Sequence, residues 1–154
     1  MKKKERTQIS NLFVRVFNQI LAWEEQSFRE MGFTDITLRE LHVLEAVFGL
    51  IKEDNNRMSE IAKYLSITPG SLTTSVNGLV KKGYLVREGK PDDRRVVLIV
   101  PTEKAREVNG IHSKIRNGMI DEVLMHSSDS EKKILFDMLE NLSGFFAEKQ
   151  NTRK

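Results

Sequence analysis

Residues 58 to 100 constrain the fold more than any other part of this 154-residue chain. They read MSEIAKYLSITPGSLTTSVNGLVKKGYLVREGKPDDRRVVLIV. Apolar residues three and four positions apart predict two short helices in the first half of this stretch. The second half holds two runs rich in Val, Leu and Ile around Gly-Lys-Pro-Asp-Asp, which is turn chemistry and predicts a β-hairpin. Two helices followed by a basic hairpin are typical of a winged helix-turn-helix, a fold that reads duplex DNA.

Local signals set the expected bounds of these elements. Ser59 is a candidate cap for the first helix, and Thr68 followed by Pro69 predicts the start of the second. Gly83 is expected to end the second helix, whose apolar face carries Leu72, Val76, Leu79 and Val80. The hairpin strands are predicted at 84 to 87 and 94 to 100.

We call residues 58 to 100 the reader, because they are expected to bind duplex DNA. Longer helices are predicted on both sides of the reader. An amphipathic segment runs from 9 to 31 and stops at Gly32, and Thr37-Leu-Arg-Glu40 has the form of a capping box for the next helix. Pro101-Thr102-Glu103 is expected to open a helix that reaches about 125. Ser128-Asp-Ser-Glu131, a second capping box, starts the last one. The two tails, 2 to 4 and 151 to 154, are expected to be disordered.

The expected architecture is therefore mainly α with a small β wing, a winged helix-turn-helix flanked by dimerisation helices. We divide it into an N-terminal dimerisation helix and linker (1–36), the DNA-binding domain (37–101), and C-terminal dimerisation helices with a tail (102–154). The helices at 9–31, 103–125 and 131–148 carry more apolar face than one small domain can hide, which predicts a homodimer.

Charge and composition narrow the functional class. From Met58 to Arg106 there are nine basic and five acidic residues, whereas the rest of the chain holds 16 basic and 17 acidic. The excess of positive charge thus lies in and just after the reader, where it would neutralise DNA phosphates. The chain has no cysteine, no apolar run near the ~20 residues that span a bilayer, and no apolar segment after its basic start. We expect a cytoplasmic protein without a thiol switch or membrane partner.

A catalytic role is not expected. The three histidines are scattered, and no nucleophile motif, phosphate-binding loop or carboxylate pair stands out. No cofactor or metal is predicted either.

The DNA-contacting residues are predicted from a helical wheel and from the wing. With the apolar face inward, the outward positions of the helix at about 69–82 include Gly78, which costs roughly 1 kcal/mol in a helix interior unless DNA or another helix approaches closely. At the tip of the wing, about 84–100, we expect Arg94 to contact DNA and Arg95 to be partly structural, with Asp93 bracing an arginine or the turn. The candidate contacts are Ser71, Thr73, Thr74, Asn77, Lys81, Lys90, Arg94 and Arg95. A plain polar helix face and a surface hairpin with internal ion pairs are the alternatives.

Several of these segments resemble the MarR family of winged-helix transcriptional regulators, over nearly the whole chain. The resemblance is most specific in Ser59-Glu-Ile-Ala, in the run from Gly70 to Gly83, and in Asp92-Asp-Arg-Arg followed by Pro101-Thr-Glu-Lys. It departs from the family at Val100-Pro101, where a leucine often precedes Thr-Glu-Lys. The resemblance implies a homodimer with its recognition helix in the major groove and its wing arginine in the minor groove. Those roles fall on Ser71, Thr73, Thr74, Asn77, Arg94 and Arg95.

Three stretches are further similar to the fatty-acid-synthesis repressors of this family: residues 35–42, 72–77 and 93–97. That subgroup uses an acyl chain on acyl carrier protein as co-repressor, held in an apolar tunnel. The candidate pocket residues implied here are Phe13, Phe17, Ile20, Trp23 and His42. The alternative is that the first four are simply core and that His42 packs or hydrogen-bonds between helices. One alternative is a regulator of efflux or stress genes released by a small phenolic or drug-like ligand. The other, less favoured, is a zinc-responsive regulator using Glu24, Glu25, Glu40, His42 and His112.

Overall fold

The computed structural model describes residues 2 to 90 and 93 to 151, without the side chains of Arg94, Gln150 and Asn151. In chain order the elements are α1 (Lys3–Glu30), α2 (Leu38–Ile51), α3 (Met58–Leu65), α4 (Pro69–Lys81), β1 (Leu85–Lys90), β2 (Asp93–Pro101), α5 (Glu103–Leu124) and α6 (Asp129–Asn151). The two strands form one antiparallel hairpin. The prediction of a mainly α chain with a small β wing is confirmed.

Three helix starts lie where the local signals predict them. The backbone N–H of Glu40 donates to Thr37 Oγ1 over 3.2 Å, and the Thr37 N–H donates to Glu40 Oε2 over 2.9 Å. Thr68 Oγ1 accepts from the Ser71 N–H over 3.2 Å, and the capping box at Ser128 also forms. These caps were predictable because each one is a contact between residues three apart.

The predicted starts of α3 and α5 are wrong, and in both cases backbone pairing in or with the hairpin accounts for the difference. Ser59 does not cap α3, because the helix starts at Met58 with Arg57 in the N-cap position. Arg57 is held there by an isolated bridge to Leu98 of β2. Pro101 does not open α5 but ends β2 opposite Leu85, and a proline is tolerated at the end of a strand.

The ends of the chain and the hairpin also differ from expectation. Lys3 and Lys4 belong to α1 and are not disordered, since Lys and Glu favour helix and the Lys2 N–H donates to Glu5. At the other end α6 includes Asn151, whereas 152 to 154 lie outside the described residues.

Both strands are longer than predicted, because the hairpin pairing extends beyond the apolar runs.

The core lies between α2, α3, α4 and the base of the hairpin. Its fully buried side chains include Leu41, Leu44, Ile61, Leu72, Leu79, Leu85 and Ile99. Asn56 lies in the loop before α3. Its side-chain Nδ2 donates to the Ile99 carbonyl over 2.8 Å, and its backbone carbonyl accepts from the Ile99 N–H over 2.9 Å. This paired contact fixes the hairpin to the helical layer, so the wing has a defined position beside α4.

The chain divides into two compact units, residues 1 to 109 and 110 to 154. Large apolar side chains are exposed on the long helix of each unit. In α1 they are Ile9, Leu12, Phe13, Val14, Val16, Phe17, Ile20 and Leu21, and in α6 Ile134, Leu135, Phe136, Met138, Leu139, Phe145 and Phe146. Among the described residues, no helix is both long and apolar enough to cross a membrane.

Candidate nucleic-acid interface

The two faces of α4 differ sharply in burial. Leu72, Val76 and Leu79 are fully buried, which fixes the rotation of the helix about its axis. On the opposite side the small polar residues and one lysine are exposed or half-buried: Ser71, Thr73, Thr74, Asn77 and Lys81. The structure therefore brings five of the eight candidate DNA contacts onto one helix face, as the periodicity predicts.

The hydroxyl groups on this face are already oriented. Thr73 Oγ1 donates to the Pro69 carbonyl over 2.8 Å, and Thr74 Oγ1 donates to the Gly70 carbonyl over 3.2 Å. A hydroxyl that donates its only hydrogen to the helix keeps its lone pairs as acceptors. In this arrangement the threonines can accept from base amino groups or from water, while Lys81 and the wing supply the donors.

Gly78 has a different role from the one expected of an outward position. A Cβ built there would lie 2.7 Å from Glu40 Oε1, because the Glu40 side chain of α2 crosses against α4 at this point. The close approach that justifies a glycine in this helix is therefore made by a carboxylate of the same chain.

Glu40 links the start of α2 to the end of α4. Its two carboxylate oxygens accept hydrogen bonds from Lys82 Nζ over 2.9 and 2.7 Å, and one of them also accepts from the Thr37 backbone and hydroxyl. Burial raises the pKa of Glu40, but the bonds from Lys82 and Thr37 outweigh it and leave the pKa below its usual value. We call Glu40, Lys82 and Gly78 the α2–α4 clamp.

A second polar network joins the linker after α1 to the start of α5. Asp35 accepts from the Tyr84 hydroxyl over 2.8 Å and from Lys104 Nζ over 2.7 Å. Bonds from Lys104 and Tyr84 hold the pKa of Asp35 below its usual value, whereas burial raises that of Tyr84. The Lys104 ammonium also lies 4.0 Å from the Tyr84 ring centre. The network connects the reader to the first turn of α5.

The wing carries the remaining candidate contacts. Asp93 Oδ1 accepts from the Arg95 backbone N–H over 3.0 Å and from Arg95 Nε over 3.3 Å, which agrees with the bracing role predicted for Asp93. The Arg95 side chain is still 93% exposed. Lys90 is half-buried at the end of β1, and the side chain of Arg94 lies outside the described residues.

Sequence reasoning missed Arg87 of β1. Its Nη2 donates to Asn77 Oδ1 over 2.6 Å, so the wing contacts a candidate base-reading residue of α4 directly. The signal available in the sequence was weak: Arg87 is one of several basic residues of the hairpin, and only the docking of hairpin on helix singles it out.

The candidate pocket residues are not enclosed in the single chain. Phe13, Phe17 and Ile20 are 48%, 55% and 43% exposed, and Trp23 is half-buried. His42 Nε2 lies 3.3 Å from Glu24 Oε2. A cavity of about 310 Å³ lies elsewhere, lined by Thr37, Arg39, Glu40, Ser71, Thr74 and Ser75.

Of the residues considered for zinc, Glu24 and His42 lie 3.3 Å apart, but each of the others has a different neighbour. Glu25 pairs with Arg29 over 2.8 Å, Glu40 belongs to the α2–α4 clamp, and His112 Nδ1 lies 3.4 Å from Arg116 Nη2. Within the part of the chain that the structure describes, no three His, Cys, Asp or Glu side chains are grouped so that they could hold a metal ion.

The chain is similar to a known protein family and to several known proteins. Residues 36–97 match the model of the MarR family. Two uncharacterized HTH-type transcriptional regulators of Bacillus subtilis (strain 168) are similar. YdgJ is 29% identical over 96 residues, 62% of this chain and 58% of YdgJ, so the match spans less than two thirds of that relative. YcgE is 21% identical over 142 residues, 89% of this chain and 88% of YcgE.

A solved structure extends the similarity to almost the full length. Streptococcus pneumoniae FabT in complex with DNA is 30% identical, with a TM-score of 0.78, over 93% of this chain and 98% of FabT. The chain thus belongs to the MarR family of winged-helix, DNA-binding transcriptional regulators, which are not enzymes.

Proposed function

We propose that this chain is a homodimeric repressor that reads a pseudo-palindromic operator, with α4 in the major groove and the wing at the minor groove. The observation that carries the proposal is the exposed polar face of α4, fixed by the core beneath it and flanked by the basic wing. Small side chains let a helix enter the major groove closely, and a basic hairpin beside it can follow the phosphate backbone. The 30% identity to a protein solved on DNA supports the same assignment.

The exposed apolar faces support the homodimer. Phe13 and Phe17 of α1 and Phe145 and Phe146 of α6 are each about half exposed in the single chain. Exposed apolar side chains repeated along a helix are typical of an interface, and a second copy of the chain offers the matching surface. Two readers related by a two-fold axis would contact half-sites about 10 bp apart.

We further propose control of fatty-acid synthesis, with an acyl chain on acyl carrier protein as co-repressor. The similarity to FabT favours this reading over a phenolic or drug-like effector and over zinc. Phe13, Phe17, Ile20 and Trp23 of α1 supply apolar surface that a dimer would cover, and an apolar lining suits an acyl chain.

One experiment in two stages tests the proposal. Binding selection from random duplexes with the purified chain is expected to yield a pseudo-palindrome with half-sites about 10 bp apart. That operator is then titrated with the chain in the presence of long-chain acyl carrier protein or of the unacylated carrier. The acylated form alone should raise the operator affinity, by tenfold or more. An unchanged affinity would remove the acyl effector and leave DNA reading intact, whereas failure to select any sequence would remove DNA reading itself.

A further inference from the structure

The contact between Arg87 and Asn77 joins the wing to the exposed face of α4. Arg87 lies two residues after Leu85 on β1, so both side chains are on the same face of the strand. Leu85 is fully buried in the core, and its burial fixes the strand beside the helix. From there Arg87 reaches across to Asn77, and both residues are otherwise exposed.

The chemistry of the two groups fixes the orientation of the amide. A guanidinium group has only donors, so the atom that it contacts must be the carboxamide oxygen. The 2.6 Å bond therefore holds Oδ1 of Asn77 toward the wing and directs its NH₂ group away from Arg87. An asparagine with a free side chain could present either the oxygen or the NH₂ group to a base, with little difference in energy.

Asn77 occupies a position suited to base contact. It lies three and four residues after Thr74 and Thr73, and the three residues share the exposed face of α4. Asparagine reads the major groove by combining one donor and one acceptor, and a good contact of this kind discriminates against the wrong base by roughly 1–3 kcal/mol. That discrimination requires the amide to keep one orientation.

We propose that Arg87 is a specificity-determining residue, which acts by fixing the orientation of the Asn77 amide and so sets the base preferred at one position of each half-site. This inference rests on the proposed DNA-reading function. Arg87 is a positioning residue for base choice, and its charge contributes separately to affinity for any sequence.

The test is the base preference of four forms of the full-length chain: the parent, Arg87→Met, Asn77→Ala and the double variant. Methionine keeps much of the length of arginine but cannot donate. In selections from a duplex library, the parent should prefer one base at the Asn77 position by about tenfold or more. In both single variants that preference should fall to about threefold or less at the same position. The double variant should show no further loss, because Arg87 acts through Asn77.

Lys52→Met, which removes one positive charge at an exposed position outside α4 and the wing, is the matched control and should keep the parental preference. Arg87→Lys should restore the preference in part, since an ammonium donates to an oxygen but lacks the planar fork. If Arg87→Met lowers affinity equally for all sequences and keeps the base preference, Arg87 is only a charge and the inference is overturned. If the parent itself selects no sequence, the proposed function fails first, and this outcome is distinguishable from the other.

Discussion

Replacement of Phe13 by glutamate is expected to convert the dimer into monomers and to lower operator affinity by about a hundredfold or more. Phe13 lies on the exposed apolar face of α1, which we propose a second copy covers. A carboxylate buried in such an interface without a partner costs several kcal/mol, enough to dissociate the dimer. Each reader then binds one half-site alone, and the gain from linking two binding sites, about 10² to 10⁴ in affinity, is lost. Analytical ultracentrifugation and operator titration measure the two effects.

Asn18→Glu is the matched control for this variant. It adds the same charge to an exposed position of α1, away from the apolar face that holds Phe13. Oligomeric state and affinity should stay at parental values. A Phe13→Glu variant that remains dimeric and binds the operator with parental affinity would show that α1 does not form the interface.

A second large effect is expected at Gly78. Whether alanine at this position raises or lowers the free energy of unfolding should depend on the presence of Glu40. In the parent, the Cβ of Gly78→Ala would meet Glu40 Oε1 at 2.7 Å and displace a carboxylate held by Lys82 and Thr37. Losing those charge-assisted bonds costs about 2 kcal/mol, with allowance for the partial exposure of Lys82. Alanine returns about 1 kcal/mol of helix propensity, so the free energy of unfolding should fall by about 1 kcal/mol.

The same substitution in a Glu40→Ala chain should stabilise it. The obstructing oxygen is gone, and only the helix-propensity gain of about 1 kcal/mol remains. Urea unfolding of the four chains gives a coupling free energy of about 2 kcal/mol as the expected result. Gly70→Ala, with open space at its Cβ, should have the same effect in both backgrounds. Equal stabilisation by Gly78→Ala in both backgrounds would contradict the α2–α4 clamp.

The parts of the fold that depend on neighbours in sequence were predictable. The capping boxes at Thr37 and Ser128 involve residues three apart, and the buried face of α4 follows from its own periodicity. The rotation of α4 could therefore be predicted without knowledge of its partners, and with it the exposure of Thr74 and Asn77.

The parts that depend on distant pairing were not predictable. Ser59 has the better chemistry for an N-cap, yet the bridge from Arg57 to Leu98 moves the start of α3. The helical wheel points Gly78 away from the core, but it does not show that Glu40, 38 positions earlier in the chain, lies against this glycine. Pairs such as Glu40 with Lys82 are contacts of tertiary packing, and no local pattern encodes them.

In the candidate site, too, local features were predictable and tertiary contacts were not. Residue types and the helical wheel identify which side chains are available to DNA, but not which of them are held in place. The contact of Arg87 with Asn77 needs the hairpin docked on the helical layer through Asn56 and Ile99. Similarly, four of the five pocket candidates lie on α1 and His42 lies on α2, and the periodicity of α1 does not show which residues would face them.

Contact of the chain with DNA phosphates is measured by the salt dependence of operator binding, in the parent and in a variant with Arg94 and Arg95 both replaced by alanine. A dimer that neutralises several phosphates should lose about a thousandfold or more in affinity between roughly 50 and 200 mM salt, with a straight line of log affinity against log salt. The wing variant should bind more weakly at low salt and give a shallower slope, because fewer counterions are released. A flat salt profile of the parent with every duplex, including the selected operator, would show that the chain does not bind DNA in the proposed way.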